Sequence, residues 1–268
     1  FGSRIDAVYK YITENNTTTA SGMDSDSKYT IQRFATGAEN LQSEESTNSS
    51  IGFVIQPEQL EGLTITYDAW KIEKDKTIGL FGRDNHTVLD LAMLIENGAS
   101  NCDSFTGNSA VLRDTDELDD GVLALFATAG ICPVGQAYRV TDEYINMAKR
   151  TLEGQDVGVN YNFDTDVGTF RFKYNVTFTD TFKQVPTGNF STIQNAQASG
   201  AIPDYIVLKG FGDLLGIDGN YDEKHSMKLS WRKGDWGASL SGLKKGSFTQ
   251  SSLTLGDGTK YNIPSMTT

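Results

Sequence analysis

A chain of 268 residues with 38% hydrophobic side chains and a net charge of −12 has length enough for a large core or for part of a barrel, and is too acidic for nucleic acid to be its partner, since phosphate binding needs clustered Lys and Arg. Nowhere do about eighteen apolar residues follow one another, which excludes a transmembrane helix. An alternating β-barrel stays open, because polar positions facing its interior dilute those facing lipid, and a mean hydropathy of −0.37 is compatible with one.

In chain order, residues 4–13 read as a strand that runs into a polar loop at 15–27. A shorter run at 28–34 is followed by a second polar stretch at 37–46. From 47 to 56, Ile51, Phe53 and Ile55 alternate with Ser50, Gly52, Val54 and Gln56, and residues 57–62 turn the chain. Leu63, Ile65 and Tyr67 then alternate with Thr64, Thr66 and Asp68, after which Ala69-Trp70-Lys71-Ile72-Glu73 breaks the phase, as a bulge or a barrel rim would. Residues 76–142 form a long excursion without long strands, the signature of a surface or functional loop. Inside it, Val88, Leu89, Leu91, Ala92, Leu94 and Ile95 predict a short amphipathic helix over 87–95 that stops at Asn97-Gly98.

The most specific pattern lies at 152–182. Val157, Val159, Tyr161 and Phe163 alternate with polar residues, and after a turn at 164–168 so do Phe170, Phe172, Tyr174, Val176 and Phe178, with Arg171, Lys173, Asn175 and Thr177 between them. Successive strand side chains point to opposite faces, so this is a hairpin with one apolar and one polar face. Each run is long: soluble strands have about five or six residues, whereas a bilayer crossing takes about nine to eleven. After a further long connection at 183–221, Met227–Trp231 and Trp236–Leu240 predict a last hairpin through Lys233-Gly234-Asp235. Short turns after Gln56, Phe163 and Arg232 thus alternate with long connections after Glu73, Phe182 and Phe248. An outer-membrane barrel sorts its connections in this way, and a soluble sandwich has no reason to.

Catalytic or cofactor chemistry finds no support. His86 and His225, the two histidines, fit no metal-binding spacing and read as loop or rim residues, and the glycines of 210–216 miss the Rossmann and P-loop spacings. The acidic run Asp114–Asp120 has Leu118 where a calcium loop needs a ligand, so it reads as a solvated charge run. Trp70, Trp231 and Trp236 suit headgroup depth at a membrane interface; Trp70, close to a long connection, is also a candidate to face a ligand. Cys102 and Cys132, the two cysteines, lie in the same excursion, and a disulfide between them is expected in an exported protein.

Several segments resemble TonB-dependent outer-membrane receptors. They are residues 40–57, with Ser43 where the family has Pro; 62–73, with a Tyr-x-x-Trp-x-Ile ending; 144–161; the Trp-x-x-Gly-x-Trp of Trp231–Trp236; and 257–266. Their order along the chain is the family's own. The resemblance implies an all-β chain, part of a single antiparallel transmembrane barrel domain over 1–268, in the outer membrane of a Gram-negative bacterium. A plug and closing strands would lie outside this sequence, as would any export signal, since Phe1 is not an initiator. It implies no enzyme and no cofactor. The expected partners are TonB, acting on the N-terminal part not present here, outer-membrane lipid, and a scarce nutrient such as a siderophore, cobalamin or an oligosaccharide. Arg171, Lys173, Asn175 and Thr177 would face the lumen and hold the plug, and the long connections would help capture ligand. The alternative is a secreted β-rich binding module, for example for glycans.

Overall fold

The computed structural model describes residues 6–14, 31–105, 107–186, 188–203, 206, 208–254 and 259–268. In chain order the elements are α1 (Ala7–Glu14), β1 (Gln32–Thr36), β2 (Glu45–Ile55), β3 (Leu63–Asp75), β4 (Ile78–Leu80), α2 (Arg83–Asn97), β5 (Val111–Arg113), α3 (Asp120–Ala129) and β6 (Ala137–Asn146). They continue as β7 (Arg150–Thr165), β8 (Gly168–Gln184), α4 (Asn189–Ala198), β9 (Gly212–Asp213), β10 (Glu223–Lys233), β11 (Trp236–Lys245), β12 (Phe248–Thr254), β13 (Lys260–Ile263) and β14 (Met266–Thr267). The chain divides into two compact units.

The first unit, Glu44–Thr77, Ala148–Val185 and Gly210–Thr268, is built on a sheet of order β14-β11-β10-β8-β7-β3-β2, with β9 beside β8. All of its pairings are antiparallel. The period-two runs become its long strands, of 16 residues in β7 and 17 in β8, and the expected short turns join β2 to β3, β7 to β8 and β10 to β11. At the β7–β8 turn Thr165 pairs with Gly168, and at the β10–β11 turn Lys233 pairs with Trp236, leaving two residues in each loop. Gly168 has a φ of 127°, and a Cβ there would come within 2.6 Å of the Trp231 indole nitrogen and 2.5 Å of the Arg232 carbonyl. Only glycine lets β10 approach this closely. Trp231 Nε1 and Lys233 Nζ then donate to the Val167 and Asp166 carbonyls at 2.8 and 2.9 Å, tying the two hairpins together.

The phase break expected at Ala69–Glu73 is not a bulge. The β3–β7 register runs unbroken from Leu63 opposite Tyr161 to Lys74 opposite Arg150. What changes there is polarity: Ala69, Lys71 and Glu73 keep the face of Tyr67, while Trp70 and Ile72 take the other. The one register shift among these long pairings lies between β7 and β8 at Glu153/Gly154.

The second unit comprises the described residues of Phe1–Ser43, Ile78–Met147 and Pro186–Lys209. Both excursions read as loops therefore contribute to a folded body, and the chain is not purely β. The strand expected at 4–13 is instead helix α1. Asp6 caps it by accepting from Val8 N at 3.0 Å, and Val8, Tyr9 and Ile12 become buried on one side. Helix α2 extends the predicted segment at both ends. The apolar run at 122–126 opens helix α3, capped by Asp119, which accepts from Val122 N at 2.9 Å. β6 is the hub of a small sheet that pairs β1 in parallel and β4 and β5 antiparallel. Its Tyr144–Asn146 belong to this unit, so the segment 144–161 spans two strands rather than one. Leu91, Leu94, Phe126, Ile12 and Ile193 are fully buried here, with the Tyr9 and Phe126 rings 5.9 Å apart and edge-on. Within the connection at 183–221, the apolar sequence Tyr-Ile-Val-Leu at 205–208 lies partly outside the described residues.

Cys102 and Cys132 form a disulfide that closes a separation of 30 residues, with their Cα atoms 5.3 Å apart. It staples the start of the segment after α2 to the segment after α3. In the chain-entropy treatment such a loop contributes about 3–4 kcal/mol through the unfolded state. Alkylating the denatured, unreduced protein should add no mass. The double variant Cys102→Ser/Cys132→Ser should lose about that stability in urea unfolding, and two alkyl groups on the unreduced chain would contradict the bridge.

Candidate functional site

Residues directly opposite one another across an antiparallel pair share a face, so the registers sort the side chains of the long sheet. One face carries Ile51, Phe53 and Ile55 of β2; Leu63, Ile65 and Tyr67 of β3; and Val157, Val159 and Tyr161 of β7. It continues through Phe170, Phe172, Tyr174 and Val176 of β8 into Met227, Leu229 and Trp231 of β10 and Ala238 and Leu240 of β11. Stacked rings join its strands, Phe53 on Tyr67 at 5.2 Å and Phe163 on Phe170 at 5.2 Å. From Phe170 to Phe178 this band runs for about 26 Å along β8, at about 3.3 Å per residue.

The band ends in a polar border on the same face. On β3 and β7, Lys71 Nζ lies 2.9 Å from Glu153 and 3.3 Å from Glu73, Lys149 reaches Glu73 at 2.8 Å, and Tyr67 donates to Gln155 at 3.0 Å. On β8, β10 and β11, the Tyr174 hydroxyl meets His225 Nδ1 at 2.6 Å, His225 Nε2 meets Glu223 at 3.0 Å, and Lys244 meets the other oxygen of Glu223 at 2.6 Å. His225 thus lies within β10, at the edge of the band, and not in a loop. Trp236, 76% exposed, and Trp231 mark the opposite, short-turn end.

The other face is polar throughout its middle. Arg171, Lys173, Asn175 and Thr177 all lie on it, joined across the register by Asn160, Asn162 and Asp156 of β7 and by Lys224, Ser226, Lys228, Ser230 and Arg232 of β10. Thr177 donates to Asp156, and Asn175 Nδ2 sits 3.5 Å from Ser226 Oγ. Sequence reasoning missed the basic residues of β10. Lys224, Lys228 and Arg232 recur every four residues, but which of them faces Arg171 and Lys173 depends on register. Trp70 lies within β3 on this same face and not in a loop. Its ring covers Gly154, where a Cβ would come 2.6 Å from it, and its indole N–H has no hydrogen-bond partner among the described residues.

The helical unit holds a separate polar cluster that the sequence did not reveal. Arg113 bridges two buried carboxylates, Asp6 at 2.7 Å and Asp90 at 2.8 Å. Burial works against the charge of Arg113, but the two carboxylates prevail and hold it firmly protonated. Burial likewise raises Asp90, opposed by Arg113. Tyr9 is pushed up to about 12, first by burial and then by Asp6, and donates to the Val134 carbonyl at 2.9 Å. The cluster clamps α1, α2 and β5 and carries no geometry for catalysis. Among the described residues no His, Cys, Asp and Glu group has the arrangement of a metal site.

His86 is buried on α2, not in a loop, because the excursion folds around it. Asn108 Nδ2, which can only donate, lies 3.3 Å from His86 Nδ1, so the neutral ring carries its proton on Nε2, 3.3 Å from the fully buried Asp142. Burial lowers the His86 pKa below 6.5, against the opposing pull of Asp142.

No protein-family model and no curated protein matches the sequence. Solved structures do. The FrpB iron transporter from Neisseria meningitidis (F3-3 variant) is 9% identical with a TM-score of 0.42, over 87% of this chain and 24% of its own. The siderophore receptor PirA from Acinetobacter baumannii is 12% identical with a TM-score of 0.45, over 87% of this chain and 26% of its own. The chain therefore spans about a quarter of the length of each. Both are named for transport or reception rather than for catalysis.

The depressed pKa of His86 has a definite consequence for stability. Above 6.5 the ring is neutral folded and unfolded, and its contribution is complete; as pH falls below that value the unfolded chain takes up a proton that the native site resists, and stability is lost. Amides of α2 should therefore lose exchange protection between pH 7.5 and 5.5, after correction for intrinsic rates, and His86→Gln should flatten that dependence. Equal pH dependence in both proteins would contradict the assignment.

Proposed function

We propose that the long sheet is an arc of an outer-membrane β-barrel in a TonB-dependent nutrient receptor, its apolar face in lipid and its polar face toward the lumen. One observation carries the reading. Apart from Val176, every buried apolar residue among those described belongs to the helical unit. Strands of 10 to 17 residues thus form a broad sheet whose apolar face is covered by no second layer of its own unit, and soluble domains are built from at least two packed layers. Ile51 at 77% exposure, Leu240 at 64% and Phe53 at 54% lie on that face. A secreted module would have to cover them; a bilayer does so directly, and an aromatic and charged border at each end is what its interfaces favour.

The rest of the assignment follows from that placement. The strands are joined alternately by two tight turns of two residues and by long connections, so the turns at Asp166-Val167 and Gly234-Asp235 lie on the periplasmic side and the long connections outside. The connections from β3 to β7 and from β8 to β10 contribute the folded helical unit, which we assign to ligand capture. On the polar face Lys173, Asn175 and Thr177 contact the plug, TonB supplies the energy, and the cargo is a large scarce nutrient. Catalysis plays no part.

Arg placed at Phe172, in the middle of the apolar face, should cost about 2–4 kcal/mol of stability in lipid, whereas Arg at its neighbour Lys173 should cost close to nothing. Equilibrium unfolding from liposomes measures both. Equal costs at the two positions would remove the membrane assignment.

A further inference from the structure

In a chain of net charge −12, the polar face of β8 and β10 concentrates cations. Arg171, Lys173, Lys224, Lys228 and Arg232 all lie on it, and Lys173 stands directly opposite Lys228. Like charges opposed across an antiparallel pair destabilise the sheet. None of the five forms an ion pair among the described residues, although Lys71, Lys149 and Lys244, on the border of the other face, each have a carboxylate partner. Of the carboxylates that share the polar face among the described residues, Asp156 accepts from Thr177 and Asp164 from Thr169, and neither these nor Asp68 pairs with a cation. Among the described residues of this unit the charge is therefore uncompensated.

The same place is concave. A depression of about 590 Å³ is lined by Thr169, Arg171, Lys228, Ser230, Arg232 and Ser239. The register explains it, since Arg232 faces Gly237 and Ser230 faces Ser239. Two strands of long cationic side chains stand beside a third with glycine and serine, so the cations surround a floor with room above it. Volumes of about 300–1,000 Å³ suit a small ligand, and guanidinium groups bind carboxylate and phosphate in two-pronged fashion.

We propose that this depression binds a small polyanion, a molecule with at least two carboxylate or phosphate groups. Arg171 and Arg232 grip it from two strands, Lys228 supplies charge between them, and the Ser230 and Ser239 hydroxyls donate from the floor. Lys173 and Lys224 continue the positive strip along β8 and β10. The inference rests on the register and the side chains of this face alone, whatever covers the opposite one.

The test uses the complete chain in an uncharged detergent, with citrate and inorganic pyrophosphate as separate probes and sucrose as a neutral control. Calorimetric titration should show saturable binding of one or both anions that weakens as salt is raised and falls at least tenfold in Arg171→Gln/Arg232→Gln; citrate alone would assign carboxylates, and pyrophosphate alone would assign phosphates. Lys228→Ser should unfold at a higher temperature than the unaltered chain without anion, because it relieves Lys173, and should gain less from added anion. That second measurement reads the site through folding itself. Absence of binding by both anions, binding unchanged in the double variant, or binding of poly-glutamate without either small anion would overturn the proposal, the last by assigning the face to an acidic protein surface. A failed titration leaves the lipid assignment of the other face untouched, because the cost of Arg at Phe172 measures that separately.

Discussion

The constraint on which the sheet depends is that, among the described residues, its apolar face has no second layer in its own unit. Burying apolar surface contributes about 25 cal/mol per Å², and a band running the length of β2, β3, β7, β8, β10 and β11 forgoes that contribution wherever it meets water. The strands are individually well made, with tight turns, continuous ladders and cross-strand ring pairs, yet they form one layer. Their order, each long strand beside the next along the chain, is that of a meander, and among the described residues β2 has no partner on its outer edge and β11 only the two residues of β14 there. A closed barrel in lipid resolves both problems together, since closure removes edges and lipid covers the band.

The helical unit solves the opposite problem. Here the chain has a conventional core, and the difficulty is charge. Asp6, Asp90 and Asp142 are buried carboxylates; two share Arg113, and the third faces His86 and accepts from Gly82 N at 3.2 Å. Removing one member of such a cluster leaves another buried and uncompensated, which costs far more than the pair itself contributes. Together with the disulfide, these contacts give a segment rich in polar residues a defined shape.

Much of the sheet was legible in the sequence because a strand with one apolar face writes its period directly into the chain. Phe170 to Phe178 and Val157 to Phe163 required no further information, and the short turns after Gln56, Phe163 and Arg232 marked the hairpins, whereas the long connection expected after Phe248 is instead strand β12, paired with β13. Legibility failed where polarity changes without a change of geometry, as at Ala69–Glu73, where an unbroken strand passes from the apolar band to its charged border. It failed again at α1, where the capping Asp6 was the readable signal and Val8, Tyr9 and Ile12 sit on one helical face. The Arg113 cluster joins residues more than a hundred positions apart, and the cations of β10 acquire meaning only beside Arg171 and Lys173. Tertiary contact and register carry that information, and neither is written in local pattern.

Whether lipid covers the apolar face can be measured residue by residue. Nitroxide labels placed singly from Phe170 to Phe178, in protein reconstituted into liposomes, report access to oxygen, which concentrates in the bilayer, and to a water-soluble nickel chelate. The account predicts period-two profiles of opposite phase, oxygen access highest at Phe170, Phe172, Tyr174 and Val176 and nickel access highest at Arg171, Lys173, Asn175 and Thr177. Equal, high nickel access on both faces would contradict it and return the sheet to water.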